Sequence, residues 1–401
     1  MRPIVVRARE LYTIWDEGRG KMLVAISIGW FLSIGTMAIY PVVLPELRAA
    51  FELSLTTVGL LVTALWFVYG LGQLPAGYVT DWLGEGSIMA LSTLLAGVAV
   101  VLVALSRSRL MLFGATASLG LSTSLYGIAR FTAMDHIFPA RIGIANGLVD
   151  AAADSGQTLL PVVAGIITGA VAWQYGIAYT VPLFVLTAVT LRLTVPARTG
   201  SGSSTVEFDA STGRDVLSEM RRPALFYGGL VFLIATAVWM TFLSFYPTYL
   251  VEQKGLSSSV ASALFGLFFG LGIVLKPVSG MLYDRIGIRS TFVAIVVLGS
   301  VGIASLPFAE GVLPLVGSTI CVSSLNGYNP PMVSHLTTVL PERIAGTALG
   351  VVRTVTITVS ALGLVVFGSI ADRGLFDEGF LLLAVLLLCL SIPLFRIPRQ
   401  Y

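Results

Sequence analysis

Charge is scarce in this chain. Only 11% of its 401 residues are charged, against roughly 25% in ordinary globular domains, so a soluble fold would have nothing with which to cover its surface. Cysteine is almost missing. The two present, Cys321 and Cys389, both lie inside apolar runs, which provides neither metal-ligand spacing nor a disulfide framework. The two histidines, His136 and His335, stand alone, and the sequence has no G-x-S-x-G, no H-E-x-x-H and no phosphate-binding loop. An enzyme is therefore not expected, and no cofactor or metal is implied. The net charge of +3 is small and spread along the chain, which excludes a nucleic-acid footprint.

What the chain has in abundance is apolar sequence, 56% by residue. Runs of about 20 apolar residues, the length that crosses a bilayer, recur near 22–45, 56–79, 88–106, 110–130, 142–170 and 176–195. They recur again near 224–250, 258–282, 290–308, 312–334, 344–371 and 379–395. The first run is too long for a signal peptide, whose apolar region is about 7–15 residues. Between the sixth and seventh runs, residues 196–222 have the Gly/Ser character of a flexible linker. The expected architecture is an all-α integral membrane protein of twelve helices in two six-helix bundles. Its parts are a 1–21 segment, a bundle over 22–195, the 196–222 linker, a bundle over 223–396 and a 397–401 tail.

Basic residues set the expected orientation. With both termini in the cytoplasm, 17 Lys/Arg fall in cytoplasmic segments, including Arg198, Arg214, Arg221 and Arg222 of the linker. Five fall outside (Arg48, Arg107, Arg109, Lys254 and Arg373), and Lys276 and Arg353 lie within spans. A multi-pass protein of the cell membrane follows, in contact with the lipid bilayer.

The halves echo one another. Gly77-Tyr-Val-Thr-Asp81-Trp-Leu-Gly84 after the second span recurs as Gly280-Met-Leu-Tyr-Asp284-Arg-Ile-Gly287 after the eighth, 203 residues later. Pro139-Ala-Arg141-Ile-Gly143 before the fifth span is echoed by Pro341-Glu-Arg343-Ile-Ala-Gly346 before the eleventh, with one residue inserted.

Gly280-Met-Leu-Tyr-Asp284-Arg285-Ile-Gly287-Ile-Arg289 resembles the G-x-x-x-D-R-x-G-R-R signature of major facilitator superfamily secondary transporters. The N-terminal copy keeps Gly77, Asp81 and Gly84 but has Trp82, Glu85 and Gly86 where the basic residues would be. Ala172-Trp173-Gln-Tyr-Gly resembles the family's entry to span 6. The resemblance implies a central cavity lined by spans 1, 4, 7 and 10, and two halves that rock about it. It also implies a cytoplasmic gate in which Gly77 and Gly280 let helix ends approach. Asp81 and Asp284 would there accept hydrogen bonds from neighbouring helix N-termini, a favourable dipole arrangement. The span-4 Arg of the family's proton-coupled antiporters is replaced by Thr116 in Thr116-Ala-Ser-Leu-Gly120.

Ionisable residues inside spans are costly and point to function. At 1.5 Å per helical residue, Lys276, Asp150 and Arg353 lie about 12–15 Å from the cytoplasmic edge and Asp154 about 20 Å, near the middle of a core of about 30 Å. Asp150 and Asp154, four residues apart, share a helix face. In this family, span 5 packs beside span 8 and span 11 beside span 2, so either Asp is expected to meet Lys276 and Arg353 to meet the Gln73 region. Lys276-Pro277-Val-Ser-Gly280 is similar to the R-P-x-x-G of oxalate/formate and monocarboxylate carriers, where the Arg binds the substrate carboxylate. The four charges are thus candidates for substrate binding or coupling, or for a permanent ion-pair network. Asn326-Gly-Tyr328-Asn329-Pro-Pro331 in the tenth span interrupts a helix at membrane depth. That interruption makes Tyr328, Asn329 and their repeat partner Tyr126 candidate substrate contacts. Trp30, Trp239 and Tyr246 read as packing or interface anchors, and His335 as structural.

The expected function is secondary active transport of a small organic anion such as a carboxylate, with a coupling proton or counter-anion as a second small partner. The alternative is proton-coupled export of hydrophobic or cationic compounds.

Overall fold

The computed structural model describes residues 18–199, 222–340 and 345–396. Arg214, Arg221, Pro341 and Arg343 lie outside the described residues, as do the outer parts of both terminal segments. The described elements are all helical. They are α1 (Arg19–Phe51), α2 (Leu55–Leu83), α3 (Glu85–Ala104), α4 (Arg109–Ile137), α5 (Ile142–Ala170) and α6 (Trp173–Thr194). After the linker come α7 (Pro223–Glu252) and a 48-residue stretch, Ser258–Ser305, that bends at Gly287 into α8 and α9. The chain ends with α10 (312–339), α11 (Ala345–Ala371) and α12 (Phe376–Arg396). Among the described residues, nine helices are long and apolar enough to cross a membrane, by length and composition alone. The remaining segments expected as spans are helix too: α9 beyond the bend, α5, and α10 in two pieces.

Local chemistry explains the boundaries. Ser54, Ser108 and Ser257 each accept a backbone N–H at the first turn of α2, α4 and α8, which satisfies one of the donors a helix start leaves open. Gly84 (φ 83°, ψ 150°) and Gly287 (φ 75°, ψ 172°) adopt nearly the same backbone conformation at equivalent places in the two halves. That region favours glycine, so the sequence repeat is a repeated helix–turn–helix. In α10, the first piece gives way to a 3₁₀ turn at Ser323–Gly327, and Asn329–Val339 begins with Pro330 and Pro331 in its first turn. A proline there loses no intrahelical bond.

α1 packs on α5 and α2 on α4 in the first half, α7 on α11 and α8 on α10 in the second. The halves meet along α2–α11, α5–α8 and α1–α7. On the face opposite the linker, the interface is tight. A methyl group at Gly59 would strike the backbone of Leu364, and one at Gly368 the backbone of Leu55, the close approach that small residues permit. Thr63 donates to the Ala361 carbonyl at 2.6 Å, and Gly165 abuts Ser262 across α5–α8. Asp372, just past α11, accepts the N–H groups of Leu55 (2.6 Å) and Thr56 (2.8 Å) and the Thr56 hydroxyl (2.5 Å). Arg48 pairs with Glu252, and Ser258 donates to Glu46 at 2.5 Å.

Towards the linker face, the interface stops at mid-depth. Among the described residues, contacts at this depth are Gly70 with Thr358 and Lys276 with Asp154. Below them, a Cβ added at Gly77, Gly143, Gly147, Gly280 or Gly350 would meet nothing within 4 Å. Tyr78 and Trp82 are 79% and 74% exposed. The two bundles form a V that is closed opposite the linker and open beside it.

Candidate functional site

The apex of the V holds the charges. Lys276 on α8 places its Nζ 2.5 Å from the Asp154 carboxylate on α5, which realises one of the two pairings expected from the sequence. Asp150 does not join them. It faces Arg130 of α4, whose Nη2 donates to it at 3.0 Å.

Arg130 is the residue that sequence reasoning missed. It is 3% exposed, and its guanidinium lies over the rings of Trp30 (4.3 Å) and Phe131 (4.0 Å). Drawing the fourth span to end at residue 130 made it a boundary residue, whereas α4 continues to Ile137. Two signals were available: Tyr126 lies one helical turn before it, and Asp150 needed a cation.

Arg353 on α11 has no hydrogen bond or ion pair among the described residues. Its charge is felt at Tyr69 on α2, at Tyr328 and at Arg130. Tyr69 lies one turn before Gln73, so Arg353 reaches the expected neighbourhood while the Gln73 amide nitrogen stays unpartnered.

Each half also sets a Trp from its first helix against a Tyr from its fourth. Trp30 stacks on Tyr126 at 6.0 Å, and Trp239 meets Tyr328 at 6.4 Å. Tyr126 is fully buried and donates to the Ile26 carbonyl at 2.8 Å, which makes it part of the α1–α4 contact. Tyr328 bonds Thr236 at 3.1 Å and is 6% exposed, while Asn329 is half-buried in the first turn after the break in α10. The break is braced by Asn326, which donates to the Phe268 carbonyl (2.8 Å) and accepts from Trp239 Nε1 (3.2 Å). Tyr246 bonds Thr319 and packs in the core. Thr116 bonds Tyr40 at 2.9 Å. His335 is 1% exposed, and neither ring nitrogen has a partner among the described residues. His136, isolated in sequence, sits 3.1 Å from Glu85 on the linker face, away from the apex.

A family profile described as Major Facilitator Superfamily matches residues 26–356. The chain belongs to the Major Facilitator Superfamily. It is a transporter of that superfamily and a multi-pass membrane protein. It is 20% identical over 281 residues to a probable nitrate transporter, NarT, of Staphylococcus epidermidis, covering 70% of each chain. To a probable sulfoacetate transporter, SauU, of Cupriavidus necator, it is 23% identical over 377 residues, covering 86% of this chain and 85% of that one. Its fold is that of the crystal structure of a bacterial homolog to the human lysosomal transporter Spinster in an inward-facing and occupied conformation. The TM-score is 0.79 at 15% identity, over 96% of this chain and 97% of that one.

The superfamily's loop motif sits on the open side of the V. Gly84 and Gly287 form its turns. Asp284, Arg285 and Gly287 are exposed, while Gly77, Asp81, Gly280 and Arg289 are half-buried. Among the described residues, neither Asp81 nor Asp284 accepts a hydrogen bond from a helix N-terminus, and no helix closes on Gly77 or Gly280. The contacts expected of a gate are thus not made among the described residues. The same chemistry closes the opposite face, where Asp372 serves the start of α2. Burial works against ionisation of Asp372. The combined hydrogen bonds from Thr56 and Leu55, with Ser54 contributing, nonetheless hold its carboxyl below the usual carboxylate range.

Proposed function

We propose that this transporter carries a small anion across the cell membrane by alternating access, with both termini and the linker in the cytoplasm. The observation that carries the reading is the charge balance at the apex. Three cations, Arg130, Lys276 and Arg353, face two carboxylates, Asp150 and Asp154, and each carboxylate is committed to one of the first two cations. Arg353 is left over. An unpaired cation at membrane depth is costly, and an anionic substrate would supply its counter-charge.

The names of the relatives support this direction, since nitrate and sulfoacetate are both small oxyanions. A carboxylate, the class suggested by Lys276-Pro277-Val-Ser-Gly280, remains within it, because sulfoacetate bears one. Lys276, however, is occupied by Asp154 here. We therefore assign the leading substrate role to Arg353, with Tyr328 and Asn329 beside it. We assign Tyr126 to positioning Trp30, and Lys276–Asp154 to the contact that opens and closes between the halves. These halves, 22–195 and 223–396, rock about the apex. The loop motif on Gly77, Asp81, Gly84, Gly280, Asp284, Arg285, Gly287 and Arg289 closes the cytoplasmic face in the opposite state.

Thermal unfolding of the purified protein tests the reading. Nitrate, nitrite, sulfoacetate and simple mono- and dicarboxylates are screened against organic cations. At least one anion should raise the midpoint of the wild type and leave Arg353→Gln unmoved. Stabilisation by hydrophobic cations alone would instead favour the exporter reading, with Asp150 as the attracting charge.

A further inference from the structure

Arg130 is a buried charge whose counter-ion is not buried. Its side chain is 3% exposed, whereas that of Asp150 is 57% exposed. The rings of Trp30 and Phe131 cover the guanidinium, so its polar edge is left to carry hydrogen bonds. Of that edge, Nη2 donates to Asp150, while Nε and Nη1 are buried and have no partner among the described residues. A guanidinium removed from water requires a compensating negative charge. Its planar fork is matched to an oxyanion with two acceptor atoms.

The ionisable groups around Asp150 come from α2, α4, α5, α8 and α11. Arg130 is on α4, Tyr69 on α2, and Asp154 lies one turn along α5 with Lys276 of α8 already bonded to it. Arg353 of α11 acts on both Tyr69 and Arg130. α1 brings the uncharged Trp30, and α6 has ionisable groups only towards its ends, at Tyr175, Tyr179 and Arg192. Among the described residues, the carboxylate that pairs with Arg130 is Asp150, and it is largely exposed.

Resting on the anion reading above, we propose that the transported anion replaces Asp150 as the counter-ion of Arg130, and that Asp150 takes up one proton when it does. The exchange balances: one O–H bond forms on Asp150, the guanidinium keeps its charge, and a monovalent anion enters with one proton and no net charge added, whereas a dianion adds one negative charge. Arg353 meets the same anion from the other half. The chain would then be an anion–proton symporter, with Asp150 as the proton site and Arg130 as a substrate ligand.

The test uses the purified full-length protein, with nitrate, nitrite and sulfoacetate as probes and gluconate as the ionic-strength control. In weakly buffered solution, the wild type should absorb about one proton per anion bound. Its apparent Kd should rise about tenfold per pH unit over the range in which the bound state holds the extra proton and the free state does not, the slope of a single linked proton. Asp150→Asn should bind the anion with an affinity that does not change with pH and should release or absorb no protons. Without anion, it should melt below the wild type and be restored by the probe but not by gluconate. The double variant Asp150→Asn/Arg130→Gln should recover that midpoint and ignore the probe. Anion binding with unchanged pH dependence in Asp150→Asn, or surviving Arg130→Gln, overturns this inference and leaves the anion reading standing. If no probe binds the wild type at any pH tested, the anion reading fails and takes the inference with it.

Discussion

Replacing Asp372 by alanine removes the carboxylate that ties the end of α11 to the start of α2. Three hydrogen bonds go with it, at 2.6, 2.8 and 2.5 Å. α2 itself is not undone, because Ser54 still accepts the Thr57 N–H, so the loss falls on the interface between the halves. Removing a capping side chain costs about 0.5–2 kcal/mol, and the helix-dipole part of that is about 0.3–1 kcal/mol at an exposed site. A value of about 1.4 kcal/mol changes the ratio of the two conformations about tenfold. Electron–electron resonance reads this directly. Spin labels at Leu105 and Phe308, exposed on the closed face in different halves, should gain a long-distance population about tenfold larger relative to the short one. Labels at Trp82 and Ile286, exposed on the linker face, should gain a shorter one. The background carries Cys321→Ser and Cys389→Ser, since both native thiols are free. Unchanged distributions on both faces, in a protein that is monodisperse and helical, would refute the latch.

The other expectations follow the same geometry. Lowering the pH should release the latch through Asp372. Its value is depressed in the closed state, so the stabilisation persists above the ordinary carboxylate value near 3.9. It is lost as pH falls through the still lower latched value, and the long-distance fraction at Leu105/Phe308 should grow only there. Gly59→Val should separate α2 from α11, because the side chain meets the Leu364 backbone. Overpacking of this kind costs about 1–3 kcal/mol, read as a lower unfolding midpoint with the closed-face labels moved apart. Lys276→Gln should abolish most flux by leaving Asp154, 15% exposed, without its cation, a loss of about 3 kcal/mol for a buried pair. The swap Lys276→Asp with Asp154→Lys should restore part of it. The swap with Asp150→Lys should not, because Asp150 belongs to Arg130.

The long-range features were legible in the sequence because each leaves a periodic trace. Hydropathy located the helices. The 203-residue repeat anticipated the paired turns at Gly84 and Gly287, and the Asn326–Pro331 stretch anticipated the broken α10. The Lys276–Asp154 contact was anticipated as one of two options, because side chains four residues apart share a face. Choosing between Asp150 and Asp154 required knowing that a cation waits on α4. Arg130 was hidden because helix ends are poorly marked in apolar sequence, and a cation at a span boundary is ordinary. Asp372 was hidden for a related reason. It stands in a loop next to Arg373, and its partners are backbone N–H groups of a helix over 300 residues earlier, which no spacing rule can indicate. The conformation itself was not legible, since the same residues must close both faces in turn.

Anion flux through reconstituted proteoliposomes tests the central claim most directly. Vesicles preloaded with nitrate, nitrite or sulfoacetate and assayed for counterflow should accumulate at least one of them through the wild type. Arg353→Gln should reduce that flux to the rate of empty vesicles. Wild-type vesicles that pass no anion yet extrude a hydrophobic cation, with extrusion surviving Arg353→Gln, would contradict it.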